Sequence, residues 1–218
     1  MSLPEITPEI VAEVWLTLRA MGQDAVNKPG LLAYLGGPGP HCELRTVLRA
    51  LARQRQPDTY LEIGVRLGWS MVQVAAECPA CDITACDVWV TDYAGTPNPG
   101  ERFVRDELAR VAPRHLGAIK FLAGSSREFL PELVRQQCRF DLITVDGDHT
   151  AAGARADLRD GLALLEFGGA LVMDDLIDNA DGGGSLLAVW RETQQHYTGF
   201  VWHELPGLIP VGVAERVA

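Results

Sequence analysis

Residues 140–149 read Phe-Asp-Leu-Ile-Thr-Val-Asp-Gly-Asp-His, and residues 169–175 read Gly-Ala-Leu-Val-Met-Asp-Asp. Each stretch contains a short apolar run that stops abruptly at carboxylates. Such a run is typical of a buried parallel strand that delivers its last residues to a ligand-binding edge. Two neighbouring strands of this kind would place Asp146, Asp174 and Asp175 at one rim. Because crowded carboxylates repel one another unless a cation lies among them, the pattern predicts a divalent metal site.

Composition narrows the classes of protein that this chain can represent. A length of 218 residues favours one domain with a buried core. A net charge of −10, with only two lysines, argues against binding to a nucleic-acid backbone. No apolar run has the length of a membrane span, the start lacks a signal-peptide pattern, and five cysteines fit a reducing compartment. We therefore expect a cytoplasmic protein without nucleic-acid or membrane partners.

The N-terminal part differs in pattern from the rest. Residues 8–21 have the spacing of an amphipathic helix, with Thr7 as its cap and Pro8 in the first turn. Residues 22–40 are rich in glycine and proline and are expected to form a loop. We expect residues 1–40 to cap the acceptor pocket or to form a homodimer contact, beside a main domain over residues 41–218.

From residue 58 onward, strand and helix patterns alternate, which predicts an α/β fold with a doubly wound parallel sheet. The predicted strands are 59–64, 82–87, 118–123, 140–146 and 169–174. The predicted helices are 41–53, 69–78, 100–111, 126–137, 151–166 and 183–197. Two further apolar stretches, 199–204 and 208–214, are joined by Pro206-Gly207 and predict an antiparallel hairpin.

A glycine turn follows the first predicted strand. Glu62, Gly64 and Gly68 have the spacing Glu-x-Gly-x-x-x-Gly, which differs from the Gly-x-Gly-x-x-Gly of pyrophosphate binders. Gly64 would let a ligand approach the backbone, Gly68 would allow close packing, and Ser70 would begin a helix. The spacing favours a nucleoside ligand without a pyrophosphate, although purely structural glycines are the alternative.

Polar residues after the next two strands complete the predicted nucleoside site. Asp87 is placed to accept hydrogen bonds from the two hydroxyls of a ribose. Trp89 either lies against an adenine face or packs at the edge of the core. Gly124 and Ser125 would present a backbone amide and a hydroxyl to the adenine edge, unless Ser125 is only the cap of the following helix.

Together these residues resemble the class I S-adenosylmethionine-dependent methyltransferases. Within that class the chain is most similar to the small metal-dependent O-methyltransferases, a group that acts on catechols, caffeoyl-coenzyme A and macrolide sugars. The resemblance covers about residues 41 to 214. It implies a Rossmann-like sheet of seven strands with an antiparallel last strand, which accounts for the predicted hairpin, and an N-terminal helical extension.

The resemblance also implies roles for individual residues. The cofactor loop is carried by Glu62 and Gly64, and the ribose contact by Asp87. The metal positions fall on Asp146, Asp174 and Asp175, where catechol-like members commonly have Asp, Asp and Asn. Ligation by oxygen alone suits Mg²⁺, with Mn²⁺ and Ca²⁺ as alternatives.

One departure concerns the catalytic base. The catechol-like members carry a lysine three residues after the first metal aspartate, and here that position is His149. Histidine can accept a proton from an acidified hydroxyl near neutral pH. We therefore expect His149 to be the base, and Asp148 to be an alternative base or an orienting group. Asp146 is expected to be catalytic as a metal ligand and also to belong to the cofactor site.

The predicted activity is S-adenosylmethionine-dependent and divalent-metal-dependent methyl transfer to a hydroxyl of a small molecule. A phenol or a natural-product sugar is the favoured acceptor, which would place the enzyme in natural-product biosynthesis. A nicotinamide-dependent oxidoreductase on a similar sheet is a second reading. A non-methylating family member or a binding protein that retains the fold is a third, because fold alone does not fix activity.

Overall fold

The computed structural model describes residues 3–22, 28–38, 41–93, 95–179 and 184–218. Its helices are α1 (Pro8–Ala20), α2 (Lys28–Gly36), α3 (Leu44–Arg55), α4 (Met71–Glu77), α5 (Glu101–Val111), α6 (Ser126–Arg135), α7 (Ala151–Leu164) and α8 (Leu186–His196). Its strands are β1 (Thr59–Ile63), β2 (Asp82–Asp87), β3 (Asp92–Tyr93), β4 (Thr96–Pro97), β5 (Ile119–Ala123), β6 (Phe140–Val145), β7 (Leu165–Met173), β8 (Asp178–Asn179), β9 (Gly184–Ser185), β10 (Phe200–Leu205) and β11 (Val211–Arg216).

Seven of these strands form one sheet in the order β10-β11-β7-β6-β1-β2-β5. Strands β5, β2, β1, β6 and β7 pair in parallel, whereas β11 runs antiparallel to both β7 and β10. The predicted seven-stranded sheet with an antiparallel last strand is therefore confirmed. The short pairs β3–β4 and β8–β9 are separate antiparallel hairpins outside this sheet.

The strand order reverses between β1 and β6, because β1 leads outward to β2 and β5 while β6 returns to the other side of β1. Ligands of open α/β sheets bind at such a switch point, beyond the carboxyl ends of the strands. The polar residues that follow β1, β2, β5, β6 and β7 consequently share one edge of the sheet.

The core lies on both faces of the sheet, as expected for parallel strands covered by crossover helices. One buried cluster joins α1, α3 and α4 to the sheet, and the other joins α7 and α8 to the opposite face. Strand β6 is buried over most of its length, which explains its continuous apolar sequence. None of the helices within the described ranges is both long enough and apolar enough to cross a bilayer.

The N-terminal part packs on the main sheet domain. Helix α1 begins with Thr7, whose side chain accepts a hydrogen bond from the Ile10 amide, and it buries Val14 and Leu18 completely. The expectation of a loop over residues 22–40 is wrong for residues 28–36, which form α2. Gly30 lies inside this helix and Gly36 is its last residue. Burial of Leu31 and Leu35 compensates for the low helix propensity of glycine. Residues 23–27 and 39–40 lie outside the described residues.

Candidate active site

The turn after β1 forms the floor of a cavity at the sheet edge. Gly64 has a φ of +89°, and a Cβ atom there would lie 1.9 Å from the carbonyl oxygen of Asp146. The turn after β1 and the turn after β6 therefore touch through their backbones, which only glycine permits. Gly64 and Asp146 both line the cavity.

Asp87 binds the same turn from the neighbouring strand. Its Oδ2 atom accepts hydrogen bonds from the amides of Val65 (2.7 Å) and Arg66 (2.8 Å), and its Oδ1 atom accepts one from Trp89 (2.6 Å). Asp87 also lines the cavity at the place predicted for a ribose, and its carboxylate has lone pairs beyond the three that these bonds use. The carboxylate thus orders the glycine turn as well as being available to a ligand.

Three residues predicted to contact the cofactor do not line the cavity. Glu62 is completely buried, and its carboxylate accepts hydrogen bonds from the hydroxyls of Tyr60 (2.6 Å) and Ser70 (2.7 Å). Gly68 packs against Val104, and Trp89 packs against a neighbouring phenylalanine with ring centroids 5.8 Å apart. Burial raises the pKa of Glu62 to about 8, although its two hydroxyl donors lower it.

Three other predicted cofactor residues do line the cavity: Ser70, Gly124 and Ser125. Ser70 stands at the start of α4, but its hydroxyl binds Glu62 instead of capping the helix. Ser125 is the cap of α6 and accepts a hydrogen bond from the amide of Arg127 (3.3 Å). Ser125 is therefore the cap of α6 and also lines the cavity, while its predicted contact with adenine stays a prediction.

The carboxylates after β6 and β7 share one cavity, but among the described residues the group with potential ligand atoms within 4.8 Å of one another contains Asp146, Asp175 and His149, and not Asp174. All three carboxylates line the cavity, and Asp174 is the most buried, with 5% of its surface exposed. Its Oδ1 atom is buried and has no hydrogen-bond partner among the described residues. Burial and the nearby charge of Asp146 raise the pKa of Asp174 well above its usual value, and the same two causes raise that of Asp175.

His149 lies between two of these acids. Its Nε2 atom is 3.4 Å from Asp146 Oδ1, and its Nδ1 atom is 3.4 Å from Asp175 Oδ2. Potential ligand atoms of Asp146, His149 and Asp175 all lie within 4.8 Å of one another. The hydrogen bond to Asp146 raises the pKa of His149 to about 9, against the lowering effect of burial.

Asp148 lines the edge of the cavity, but its carboxylate is hydrogen-bonded to residues outside the acidic group. Its Oδ1 atom accepts a hydrogen bond from the amide of Thr150 (2.9 Å), and its Oδ2 atom pairs with Arg127 (3.2 Å). A Cβ atom at Gly153 would lie 2.0 Å from the Asp148 carboxyl carbon, so glycine leaves space for this side chain. These contacts form the turn that begins α7. His149, and not Asp148, therefore lies next to the carboxylates of Asp146 and Asp175.

Several residues that line the cavity were not predicted from the sequence, among them Arg45, Arg66, Tyr93 and Ile209. Arg45 lies in the first turn of α3 and looks in sequence like the polar face of an ordinary helix. Tyr93 lies on the short β3 strand, with its hydroxyl 3.5 Å from His149 Nδ1 and its ring 4.8 Å from the Arg66 guanidinium carbon. No local pattern indicates that such distant segments meet at one cavity.

The cavity has a volume of about 620 Å³, within the range of small-molecule and cofactor sites. The glycine turn, Asp87 and the Gly124-Ser125 segment line it from the β1, β2 and β5 side. The acids and His149 line it from the β6 and β7 side. One cavity therefore contains both groups of residues. We call the side lined by Gly64, Asp87, Gly124 and Ser125 the nucleoside end, after the ligand predicted from the sequence, and the side lined by Asp146, His149, Asp174 and Asp175 the acidic end.

Comparison with known proteins places this arrangement in a family. A family model described as "Methyltransferase domain" matches residues 61–176, which is more than half of the chain. The chain belongs to the methyltransferase-domain family. The matched region contains the glycine turn, Asp87, Ser125, His149 and all three acids, and the methyltransferase predicted from the sequence is confirmed at this level. None of the curated proteins searched matches the chain significantly.

Several solved structures of methyltransferases have the same fold as this chain. They include the O-methyltransferase TomG from Streptomyces achromogenes in complex with SAM (20% identity, 96% of this chain and 90% of that chain covered, TM-score 0.62). A Bacillus cereus O-methyltransferase in complex with SAH has 15% identity, coverage of 95% and 91%, and a TM-score of 0.60. The SAH-bound Podospora anserina methyltransferase PaMTH1 has 17% identity, coverage of 97% and 89%, and a TM-score of 0.60. At these identities the likeness concerns the fold alone.

Proposed function

We propose that this protein transfers the methyl group of S-adenosylmethionine (SAM) to a hydroxyl of a small molecule, with the help of a divalent metal ion. The observation that carries the proposal is the single cavity that joins the glycine turn and Asp87 to the acids and His149. Neighbouring structures support it, because TomG is described with SAM bound and as involved in tomaymycin synthesis.

The acidic end fits a hard divalent ion. The buried Oδ1 atom of Asp174 has no hydrogen-bond partner in the described part of the chain, and such an orphaned carboxylate oxygen costs free energy unless a cation binds it. Asp146, Asp174 and Asp175 would hold the ion through oxygen, as Mg²⁺ prefers, with Mn²⁺ and Ca²⁺ as alternatives. The ion, when bound, would acidify the acceptor hydroxyl and offset the charges that raise the pKa of His149.

The nucleoside end fits SAM. Asp87 would accept hydrogen bonds from the ribose hydroxyls, while Gly124 and Ser125 would border the adenine. SAM, when bound, supplies a methyl group that is already activated by its sulfonium. The protein therefore contributes mainly positioning and exclusion of water.

His149 is proposed as the group that removes the acceptor proton. Its ring lies 3.4 Å from both Asp146 and Asp175, so a hydroxyl held at the acids would be within reach of one ring nitrogen. Asp148 is placed less well for this role, because its carboxylate already binds Thr150 and Arg127.

Methyl transfer to a panel of phenols and sugars tests this proposal, with calorimetry of metal and SAM binding as a second measurement. Asp146→Ala and Asp174→Ala should each abolish Mg²⁺ binding and methyl transfer. His149→Gln should lower kcat by about 10²- to 10⁴-fold with SAM affinity retained, whereas Asp148→Asn should lower kcat much less. Full activity in excess chelator would exclude the metal role.

The proposed acceptor is a phenol or a natural-product sugar in a biosynthetic pathway. The cytoplasmic location, the homodimer contact and the division into residues 1–40 and 41–218 stay predictions.

A further inference from the structure

Arg45 is a cation placed at the acidic end of the cavity. It lies in the first turn of α3, two residues after the helix cap Glu43, and its side chain is 16% exposed. Arg45 lines the cavity together with Asp174 and His149. A guanidinium that is largely removed from water beside a ligand cavity needs an explanation, because burying a charge is costly unless partners compensate it.

The hydrogen bonds of Arg45 leave most of its donors available. Its Nη1 atom donates to Glu43 Oε2 at 3.0 Å, and the distance from Nη1 to Asp174 Oδ2 is 4.0 Å, too long for a hydrogen bond. Its Nε–H is buried and has no partner among the described residues. A guanidinium has five N–H donors, so one hydrogen bond leaves the group under-satisfied.

Arg45 carries its charge at every physiological pH. A guanidinium is not deprotonated in proteins, and the carboxylates of Glu43 and Asp174 lie 3.0 and 4.0 Å from its Nη1 atom. The cavity therefore contains a fixed positive group among acids, and this group can attract an anion that the acids alone would repel.

We propose that Arg45 binds a carboxylate of the acceptor, so that the acceptors of this enzyme carry a carboxylate on the same ring or skeleton as the hydroxyl that is methylated. The inference rests on the proposed function and narrows its substrate class. The planar fork of a guanidinium matches the two oxygens of a carboxylate. Ile209 and Tyr93 line the same cavity and provide apolar surface for a ring.

The position of Arg45 in the fold separates it from the residues proposed to contact the ribose and the adenine. Its cavity neighbour Asp174 follows β7, whereas Asp87 and Ser125 follow β2 and β5 on the other side of the strand-order reversal. Four strand spacings separate β7 from β5, which amounts to about 19 Å at about 4.8 Å each. Arg45 therefore lies at the acidic end of the cavity, where the acceptor is proposed to bind, and the variants below separate the acceptor carboxylate from that of the cofactor.

Calorimetry on protein saturated with S-adenosylhomocysteine and Mg²⁺ tests the proposal. The probes are 3,4-dihydroxybenzoate and its methyl ester, which lacks the negative charge and carries one additional methyl group. The wild-type protein should bind the acid more tightly, and Arg45→Gln should reduce this preference by about 10- to 100-fold. Methyl transfer to both probes is measured in parallel.

Two further variants separate recognition from folding. Arg45→Gln leaves the buried Glu43 carboxylate without its partner, so the double variant Glu43→Gln/Arg45→Gln is included. In this double variant the side-chain amide oxygen at position 43 can still accept the hydrogen bond from the Thr46 backbone amide, which is 2.9 Å long in the wild-type protein and caps α3. Arg127→Gln removes an exposed cation that does not line the cavity, and it should keep the preference for the acid.

The outcomes are distinct. A wild-type protein without preference for the acid, or a preference that survives in the double variant, would overturn the proposal. A loss of S-adenosylhomocysteine affinity in the Arg45 variants, with the acid preference unchanged, would assign Arg45 to the cofactor carboxylate and also overturn it. An Arg45-dependent preference in binding without any methyl transfer would leave the carboxylate site standing and refute the proposed function.

Discussion

At the scale of single residues, Asp174 shows a conflict between stability and function. A buried carboxylate with an unpartnered oxygen and two neighbouring acids destabilises the metal-free protein. We predict that Asp174→Asn stabilises the metal-free protein by about 1–2 kcal/mol, because the amide removes the charge with nearly the same shape.

Thermal unfolding in EDTA and in Mg²⁺ would check this prediction. Mg²⁺ should raise the Tm of the wild-type protein and leave that of Asp174→Asn almost unchanged. Asp148→Asn is the matched control, since Asp148 belongs to the turn before α7 and is not among the proposed metal ligands. Equal stabilisation of both variants by Mg²⁺ would contradict a metal site at Asp174.

The raised pKa of Glu62 predicts that the free energy of unfolding depends on pH. This pKa is about 8 in the folded protein, against an ordinary value of 4.5, so the folded state holds this proton more tightly than the unfolded chain. The stabilisation of the folded state by protonated Glu62 is fully present below pH 4.5 and is lost as the pH rises through about 8. We expect Glu62→Gln to reduce the fall in unfolding free energy across this window by about 2–4 kcal/mol.

Urea unfolding at several pH values between 4.5 and 8.5 measures this effect. The difference between wild type and Glu62→Gln isolates the Glu62 contribution from those of other titrating groups. Parallel curves for the two proteins over this range would show that Glu62 keeps an ordinary pKa.

At the scale of elements, a buried ion-pair network joins α1, α3 and α4. Arg49 of α3, which is 7% exposed, binds Glu13 of α1 at 3.0 Å, and it binds Glu77 and Gln73 of α4 at 2.9 Å each. The guanidinium thereby links the N-terminal helix to the domain that carries the cofactor turn. Together with the buried apolar face of α1, this network attaches the helix firmly.

We predict that Arg49→Met destabilises the protein by about 1–3 kcal/mol, because Gln73 loses its partner and Glu13 and Glu77 keep only Arg53 as a cation. The matched control is Arg102→Met, which removes an exposed i,i+4 pair with Asp106 and should cost less than about 0.5 kcal/mol. Denaturant unfolding of both variants gives the comparison. Equal losses would mean that the network contributes no more than a surface pair.

At the scale of the whole molecule, the cavity predicts which nucleotide stabilises the fold. S-adenosylhomocysteine should raise the Tm in a concentration-dependent way, equivalent to about 2.7 kcal/mol at 100 times its Kd. NADH should have no such effect, because the glycine turn lacks the pyrophosphate spacing and Asp87 caps that turn. Stabilisation by NADH alone would favour the oxidoreductase reading instead.

Several features of this molecule followed from the sequence by itself. The apolar runs that end in Asp146 and in Asp174-Asp175 predicted two neighbouring parallel strands, and these strands pair as β6 and β7. The short link at Pro206-Gly207 predicted the antiparallel hairpin of β10 and β11. Local patterns suffice here because strand burial and turn length depend on nearby residues.

Other features were decided only by the tertiary structure. Glu62 points into the core, Asp148 turns toward Arg127, and the glycine-rich N-terminal segment forms α2 because its leucines find a surface to cover. Arg45 enters the acidic cavity from a helix about 100 residues away in sequence from Asp146. Which side chains meet depends on how helices cross over the sheet, and no local periodicity encodes that, because it is set by packing between distant segments.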